Sequence, residues 1–359
     1  MAGATFGKNF SITSWVETGG NGIGVVIDGV PAGLELGEND IQAYMNRRRP
    51  TAACLFARRH ENDFVTVNSG LQNGITNGTP LSMTIINSAI KYRPGEEERF
   101  IYRPGTGDAA YEAKYGIARR VTDRDNAART AAGAVATAIL EKLGISFCSY
   151  VRSIGPVSIK YGNCSLDVLK TSPVNMPDAE ASERAVEYLK ELSAEKNTAG
   201  GVVELIISGV PAGVGSAFFD KLDARLAAAV MSIDLVRGVE FGDGFAIAGQ
   251  QGSSVSDGFA IESGVVKTSN HSGGVLGGVS DGSEIILRAA FAPSPLTGLK
   301  MSSIDSDGSP AELELADAAE TTTVPRSVVV VESMAAVTIL DLLFENMHSK
   351  LDGIVDFYR

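Results

Sequence analysis

The chain has 359 residues, a formal net charge of −12 and 44% hydrophobic residues, enough apolar sequence for a sizeable core. The excess of acidic residues argues against a nucleic-acid partner, which would select a basic surface. The three cysteines, Cys54, Cys148 and Cys164, are odd in number and lack CxxC spacing. We therefore expect neither a disulfide framework nor a metal site.

No segment predicts attachment to a membrane. The opening stretch MAGATFGKNFSITSW lacks the charged and apolar regions of a signal peptide. The most apolar run, SVVVVESMAAVTILDLLF, is interrupted by Glu332 and Asp341 and is not expected to reach membrane-spanning length. The sequence thus predicts a cytoplasmic protein with no membrane partner.

The first elements in chain order are an apolar run, GIGVVID, a GVPAG turn and a helix over NDIQAYMNRRR. The glycines of TGGNGIG are predicted to follow no strand and to open no helix, so they are a poor match to a dinucleotide-binding motif. An alanine-rich helix is predicted over 124–144, where small residues on all sides favour burial between other layers. A helix with an exposed charged face is predicted over 182–197.

The later elements are strands, an acidic segment and a final helix. VVELIIS at 202–208 and GSEIILRAAFA at 282–292 predict strands. The acidic segment 300–325 predicts either a mobile loop over a site or a solvated connection, and a last helix is expected from about Glu332 to Leu351. Strands and helices do not alternate as in a doubly wound sheet, so we predict an α+β fold with antiparallel sheets packed on helices.

An internal repeat is visible in the sequence. GIGVVIDGVPAGLEL at 22–36 resembles VVELIISGVPAGVGS at 202–216, and a helical pattern follows each stretch. We interpret this as a pseudo-repeat of two halves, about 1–180 and 181–359, within a single domain, 1–359. Chance reuse of a strand–turn–helix phrase is the alternative.

Several long motifs in the right order resemble the chorismate synthase family, and the resemblance covers nearly the whole chain. These motifs are GNGIGVVIDGVPAGL at 20–34, NRRRP at 46–50, YRPGTGDAAYEAKYG at 102–116, NAARTAAGAVA at 126–136, RGVEFGDGF at 237–245 and SNHSGGVLGGVSDG at 269–282. Shared motifs in order are stronger evidence for a common fold than for a common function.

The resemblance implies a sandwich of helices between antiparallel sheets, assembled as a homotetramer. It also implies a lyase that removes phosphate and a proton from 5-enolpyruvylshikimate 3-phosphate. Family enzymes require reduced FMN although no net oxidation occurs, and two histidines handle protons around the flavin.

Both of these histidines are replaced in this chain. Gly19 stands where the family motif GESHG has its histidine, and Thr106 stands where RPGHAD has the second. Neither residue transfers a proton near neutral pH as histidine does, and each lost acid–base group costs about 10²–10⁴-fold in rate. Glu17 and Asp108 lie nearest and are the candidate catalytic substitutes, although acids beside glycine turns are more often solvated or capping residues.

The chain retains three histidines, and only one of them lies in a family motif. His271, in SNH, is expected to fix a glycine-rich turn by hydrogen bonding. His60 and His348 lack motif support and are expected at the surface.

Most positions that approach FMN in the family also differ. Arg120 and Gly277 match the family and are the candidate cofactor-binding residues. Other flavin-facing positions are occupied here by Val121, Thr122, Asp234, Leu235, Ala292–Leu296, Ala318, Ala319, Glu320 and Thr321. A flavin phosphate and an anionic ring favour positive and donor groups, so we expect FMN to bind weakly or not at all.

The arginines that surround the substrate's phosphate and carboxylates in the family are largely retained. The candidate substrate-binding residues are Arg48, Arg49, Arg103, Arg124 and Arg326. Guanidinium groups recognise such oxyanions through paired hydrogen bonds, so these separated segments predict a local anion pocket in an acidic protein. Helix capping and structural ion pairs, such as Arg124 with Asp123 or Asp125, are the alternatives.

Three functions therefore remain open. The first is a divergent lyase that eliminates phosphate from 5-enolpyruvylshikimate 3-phosphate or a related phosphorylated carbocycle, and the retained arginines favour it. The second is a catalytically inactive paralogue that binds an anionic ligand or regulates an active chorismate synthase subunit. The third is an enzyme recruited to other chemistry on a carboxylated ring. The expected partners are a small anionic ligand and further subunits, in a homotetramer or mixed with a family paralogue.

Overall fold

The first part of the chain forms one antiparallel sheet and three helices. The structure, a computed structural model, describes residues 3–17, 20–49, 62–87, 100–118, 124–262, 264–315 and 320–359. Its first elements are β1 (Thr5–Phe6), β2 (Ser11–Val16), β3 (Gly22–Asp28), α1 (Glu38–Asn46), β4 (Val65–Ser69), β5 (Leu71–Gln72), β6 (Ile75–Thr76), β7 (Leu81–Ile86), α2 (Asp108–Tyr115) and α3 (Asp125–Lys142). Five of the strands pair antiparallel in the order β1–β2–β3–β7–β4, and β5 and β6 form a short hairpin.

The second part of the chain forms another five-stranded antiparallel sheet. Its elements are β8 (Ser146–Ile154), β9 (Val157–Ser158), α4 (Leu166–Thr171), α5 (Ala179–Ala194), β10 (Gly201–Ser208), α6 (Leu222–Met231), β11 (Val236–Phe241), β12 (Phe259–Ile261), β13 (Val265–Lys267), β14 (Val275–Leu276), β15 (Val279–Ser280), β16 (Ile285–Phe291), β17 (Lys300–Ile304), β18 (Pro310–Glu314), α7 (Val324–Asn346) and α8 (Leu351–Tyr358). The strand order is β11–β16–β10–β8–β9, and β12–β13, β14–β15 and β17–β18 are separate hairpins.

Two helices lie between the two sheets and form the centre of the core. Helix α3 packs on β2, β3 and β7, helix α7 packs on β8 and β10, and the two helices pack on each other. The layers therefore run sheet, helix, helix, sheet, which confirms the predicted α+β sandwich of helices between antiparallel sheets.

The close approach of α3 to α7 depends on small side chains. Ala128, Ala131 and Ala132 of α3 are fully buried. A Cβ atom added at Gly133 would lie 2.2 Å from Cβ and 2.6 Å from Cα of Ser333 in α7. The alanine-rich composition predicted this burial, because small residues let helix axes come close together.

Gly133→Ala is expected to destabilise the protein although alanine is the better helix former. Helix propensity alone would favour the change by about 0.8–1 kcal/mol, whereas overpacking against the backbone of Ser333 costs about 1–3 kcal/mol. Chemical denaturation of the variant measures the sign. Gly353→Ala is the matched control, because Gly353 is exposed in helix α8 and its added methyl meets only Met347 O, at 3.8 Å. If Gly133→Ala stabilises the protein as the control does, the α3–α7 contact is looser than described.

Four strands of each sheet follow the same order, β2–β3–β7–β4 and β8–β10–β16–β11, as a pseudo-repeat would require. Strand β3 leads through a GVPAG turn to α1, and β10 leads through the second GVPAG turn to α6. The backbone N–H of Gly33 donates to Thr76 O at 2.8 Å, and that of Gly213 donates to Ser280 O at 2.8 Å. The Thr76 and Ser280 hydroxyls each donate at 2.6 Å to the carbonyl of the proline in the matching turn. The placement of the half boundary near residue 180 stays a prediction.

The predicted helices are present, with shifted ends. The helix expected at 182–197 is α5, which begins at Ala179 because the Asp178 carboxylate caps it by accepting from Ala181 N at 3.3 Å. The last helix begins at Val324 rather than near Glu332, with Pro325 in its first turn, where a missing N–H costs nothing.

Two local expectations are wrong. The segment 300–325 is not a plain connection, because it contains the β17–β18 hairpin. The carboxylate of Asp305, only 3% exposed, closes that hairpin by accepting the N–H groups of Asp307 and Ser309 at 2.9 Å. TGGNGIG does follow a strand, β2, but it leads into β3 rather than a helix, so the dinucleotide-binding interpretation still fails.

Helix α7 is long and apolar enough to cross a membrane by length and composition, contrary to the expectation that its acids interrupt it. However, 89% of its most apolar stretch is buried inside the protein. Glu332 is 2% exposed and Asp341 is fully buried, and both accept internal hydrogen bonds. The helix is therefore packed as a core helix.

Candidate functional site

Three of the candidate arginines converge at the end of helix α1. Arg48 is 8% exposed, and its Nη2 lies 3.1 Å from Asp63 Oδ2. Arg124, at the start of α3 and 3% exposed, places its Nη2 at 2.7 Å from Asp63 Oδ1. Arg49 donates to the backbone carbonyl of Asn62, the residue before Asp63. The segment Asn62–Asp63 thus gathers guanidinium groups from two separated parts of the chain.

Arg49 differs from the other candidate arginines in its pairing. Within the described part of the chain it has no carboxylate partner, and its Nε atom is buried without a hydrogen-bond partner. Its guanidinium lies 5.7 Å from the ring centre of Phe64, which orients it by a cation–π contact. This arginine therefore keeps charge and donor capacity for an external anion.

The first arginine of the RRR run has a structural partner. Arg47 and Tyr44 both donate to the carboxylate of Glu332 in α7, and Ser149 of β8 donates to it as well. Burial, and then the neighbouring Glu332 charge, raise the pKa of Tyr44, so its hydroxyl remains a donor. This cluster ties α1, α7 and β8 together.

Asp108, a candidate catalytic acid, is 1% exposed and held by Arg103. Arg103 Nε lies 2.8 Å from Asp108 Oδ2 and Arg103 Nη2 lies 2.7 Å from Oδ1, a bidentate pair. Burial raises the pKa of Asp108, but the hydrogen bonds and charge of Arg103 outweigh it and hold the pKa below its usual range. Asp108 is thus charged at neutral pH and structurally engaged, and its catalytic role stays a prediction.

Thr106 uses its hydroxyl within the same turn. Thr106 Oγ1 donates to Arg103 O at 2.8 Å and accepts from Asp108 N at 3.4 Å. Thr106 therefore organises the start of α2.

The remaining candidates are dispersed. Glu17 follows β2 and is exposed. Arg326, in the first turns of α7, pairs with Glu320 at 2.7 Å. Gly19 and Arg120 lie outside the described residues.

The β14–β15 turn contains one open glycine and one enclosed glycine. Gly277 has φ +61° and open space where a Cβ would point, whereas a Cβ on Gly278 would lie 2.4 Å from Ser216 O. The repeat places Asn73 and Gly74 at the matching positions of the β5–β6 hairpin, with Asn73 at φ 53°. Gly277 therefore offers backbone to a ligand without a steric barrier.

The described residues at the other flavin positions do not fit FMN well. Asp234 carries a negative charge, and Leu235 adopts φ 66°, an uncommon conformation for a bulky side chain. Ser294 is engaged locally, since its carbonyl accepts from Thr198 Oγ1 at 2.7 Å and its hydroxyl accepts from Leu296 N at 3.3 Å. An anionic flavin gains no cation from these groups, so the Gly277 turn is the match to it within the part of the chain that the structure describes.

His271 fixes its segment by hydrogen bonds, as expected. Its Nδ1 lies 2.7 Å from Asp243 Oδ2, and its backbone N–H donates to Asp257 Oδ1 at 2.8 Å. His348 is exposed, as predicted, and His60 lies outside the described residues.

Sequence reasoning missed the acids that organise the site. Asp63 and Glu332 lie in no recognised motif, and nothing in their spacing identifies them as arginine partners. The only available signal was physical: an arginine predicted to be buried needs a buried carboxylate.

The fold and the site define a class of protein: a helical sandwich between two antiparallel sheets, with arginines gathered at one helix end and a glycine-rich turn open to solvent. The family model for chorismate synthase matches residues 10–344. The chain is 45% identical to the chorismate synthase of Lachnoclostridium phytofermentans and 44% identical to that of Agathobacter rectalis, each over 100% of both chains. A crystal structure of chorismate synthase superposes with a TM-score of 0.77 and 26% identity over 98% of this chain and 97% of that one. This chain belongs to the chorismate synthase family.

Proposed function

We propose that this protein is a divergent chorismate synthase-like lyase that eliminates phosphate from 5-enolpyruvylshikimate 3-phosphate or a related phosphorylated carbocycle. The convergence of Arg48, Arg49 and Arg124 on Asn62–Asp63 is the observation that carries this proposal. Phosphate and carboxylate groups are the ligands that guanidinium groups bind best.

In this proposal the arginines have different roles in binding the anion. Arg49 contacts the anion, because it has no carboxylate partner among the described residues. Arg48 and Arg124 share Asp63, which fixes both guanidinium planes beside it. Arg103 and Arg326 are each paired with a carboxylate, Asp108 and Glu320, and stay candidate substrate-binding residues.

Glu17 is the better of the two candidate acids for proton transfer. It is exposed at the end of β2, whereas Asp108 is committed to Arg103. When bound, FMN would lend electron density to the substrate, as the family resemblance implies. We propose that FMN binds weakly here, with Gly277 and Arg120 as its contacts, because Asp234 and Leu235 supply neither a cation nor a side-chain donor.

A second candidate function is an anion-binding paralogue without catalytic activity, which regulates an active chorismate synthase subunit. The engagement of Thr106 and Asp108 within their own turn favours it, since neither is free to move a proton. Oligomerisation is part of both proposals. The exposed Phe218 and Phe219, 80% and 98% exposed, are consistent with burial against another subunit.

The deciding experiment measures phosphate release from 5-enolpyruvylshikimate 3-phosphate without oxygen, with and without reduced FMN. Release in either case supports the lyase, and dependence on FMN overturns the proposal of weak flavin binding. Absence of release together with binding of the substrate by calorimetry favours the regulatory paralogue. Absence of both release and binding contradicts the two proposals.

Gly277→Asn is expected to leave the fold intact and to weaken binding of whichever ligand occupies the open turn. The equivalent Asn73 adopts φ 53°, so the backbone accepts this residue, and the free energy of unfolding should change by less than about 1 kcal/mol. The side chain fills the space that Gly277 leaves open, so FMN titration should show affinity lowered about tenfold or more.

Gly278→Ala is the comparison variant, at the neighbouring glycine of the same turn, and the opposite effect is expected. Its methyl meets Ser216 O, so we expect it to lower stability instead, by about 1–3 kcal/mol. Unchanged FMN affinity in Gly277→Asn would show that the turn does not face the flavin.

A further inference from the structure

A buried lysine lies at the centre of the segment that carries the open glycine turn. The Lys267 side chain is 3% exposed. Its Nζ donates to Ser272 Oγ at 2.7 Å, Asn270 Oδ1 at 2.9 Å and Asp257 Oδ2 at 3.2 Å. It also lies 2.7 Å from Asp281 Oδ2, an ion pair without hydrogen-bond alignment. One ammonium group therefore contacts both ends of the loop that encloses β14 and β15.

Two of the oxygens around the ammonium, Asp257 Oδ2 and Asn270 Oδ1, in turn accept backbone N–H groups. Asp257 accepts the N–H groups of His271 at 2.8 Å and Ser272 at 3.0 Å, and the hydroxyl of Ser269 at 2.7 Å. Burial raises the pKa of Asp257, but these hydrogen bonds outweigh it and hold the pKa far below its usual range. The carboxylate is therefore always charged at neutral pH.

Two further partners, Asn270 and Asp281, fix Gly274. Asn270 Oδ1 accepts from Gly274 N at 2.8 Å, and its Nδ2 donates to Glu284 O at 2.9 Å. The backbone N–H of Asp281 donates to Gly274 O at 3.1 Å. A Cβ at Gly274 would lie 2.5 Å from Glu284 O, so this position has no room for a larger residue.

The charges require this lysine. Asp257 and Asp281 are 3% and 10% exposed in their side chains, and two carboxylates removed from water need a cation. With Lys267 the three groups sum to one negative charge, and without it they would sum to two.

We propose that Lys267 is the positioning residue of the glycine-rich turn: as an internal cation it holds the segment 269–283 in the fold that presents Gly277. The step from this turn to a bound ligand rests on the proposed function. The folding of the turn around Lys267 stands apart from it and is tested without any ligand.

The test is hydrogen exchange at the amides of His271, Ser272, Gly274 and Asp281 in the full chain. Lys267→Met keeps the aliphatic volume and removes the charge, and its exchange at these amides should be at least about tenfold faster, with α3 amides unchanged. Lys267→Met combined with Asp281→Asn restores the net charge of the cluster and should recover most of the lost protection. Lys300→Met, at a side chain 61% exposed in an ion pair with Glu312, is the control and should match the unmodified protein.

Recovery of amide protection in the double variant would show that Lys267 acts through its charge and not through packing, because the single and double variants both lack the ammonium group. The proposal is overturned if Lys267→Met exchanges like the unmodified protein, or if the double variant is as unprotected as the single one. Should Lys267→Met fail to fold, a folded and protected double variant still supports it, and an unfolded double variant contradicts it. If Lys267→Met loses amide protection and the unmodified protein releases no phosphate, the role of Lys267 is supported and the proposed lyase function is contradicted.

Discussion

Replacing Asp341 by alanine is expected to lower the free energy of unfolding by about 3–5 kcal/mol. Asp341 is fully buried in α7, and its Oδ1 accepts the backbone N–H groups of Lys8, Asn9 and Phe10 at 3.0, 2.7 and 3.0 Å. Its Oδ2 lies 2.6 Å from Arg225 Nη2 in α6. The substitution strands several donors in the interior, including a guanidinium 13% exposed.

Urea denaturation of Asp341→Ala measures this loss. Asp341→Asn retains one acceptor oxygen for the backbone amides, so its loss should be smaller than that of alanine. Asp352→Ala, at an exposed position in α8, is the control and should change stability by less than about 0.5 kcal/mol. A loss below about 1 kcal/mol for Asp341→Ala would mean that water replaces the carboxylate, contrary to the described burial.

Arg49→Met is expected to weaken binding of 5-enolpyruvylshikimate 3-phosphate about 30- to 1,000-fold, because one partner of a hydrogen-bonded charge pair is worth about 2–4 kcal/mol. Stability should fall by less than about 1 kcal/mol, since no described carboxylate loses its counter-ion. Calorimetric titration gives the affinity and denaturation gives the stability.

The control for Arg49 is Arg184→Met, an arginine of α5 whose side chain is 47% exposed beside Glu180. It should change neither quantity. Equal affinities for Arg49→Met and the control would place the ligand away from the end of α1. Arg49→Lys keeps the charge but not the planar fork, so an intermediate affinity would indicate that the ligand is recognised through paired hydrogen bonds.

Much of the architecture was predictable from local pattern. Val- and Ile-rich runs mark β3, β10 and β16, and the two GVPAG turns mark the repeat, because alternation and turn chemistry act over a few residues. The limits of helix α7 and the β17–β18 hairpin could not be predicted in this way. Helix α7 begins around Pro325, and the hairpin turn is closed by hydrogen bonds to Asp305, and the average composition of the segment indicates neither feature.

The site was predictable in kind but not in arrangement. Motif resemblance identified five arginines, and the structure gathers three of them at Asn62–Asp63 while Arg103 and Arg326 sit in separate ion pairs. Asp108 was a candidate proton donor on proximity in sequence, but its pairing with Arg103 depends on the fold of one turn.

The sequence by itself determined the family and the sandwich of helices between sheets, and it predicts a repeat and the loss of two family histidines at Gly19 and Thr106, because motifs and periodicity are local properties of the chain. Only the tertiary structure decided which charged side chains form ion pairs with each other. Asp63 meets Arg124 across 61 residues, and Lys267 meets Asp257 and Asp281 around one loop. Ion pairing depends on distance and burial, which no linear spacing encodes, so the lack of a carboxylate partner for Arg49 among the described residues and the internal cation of the glycine turn emerge only when the chain is folded.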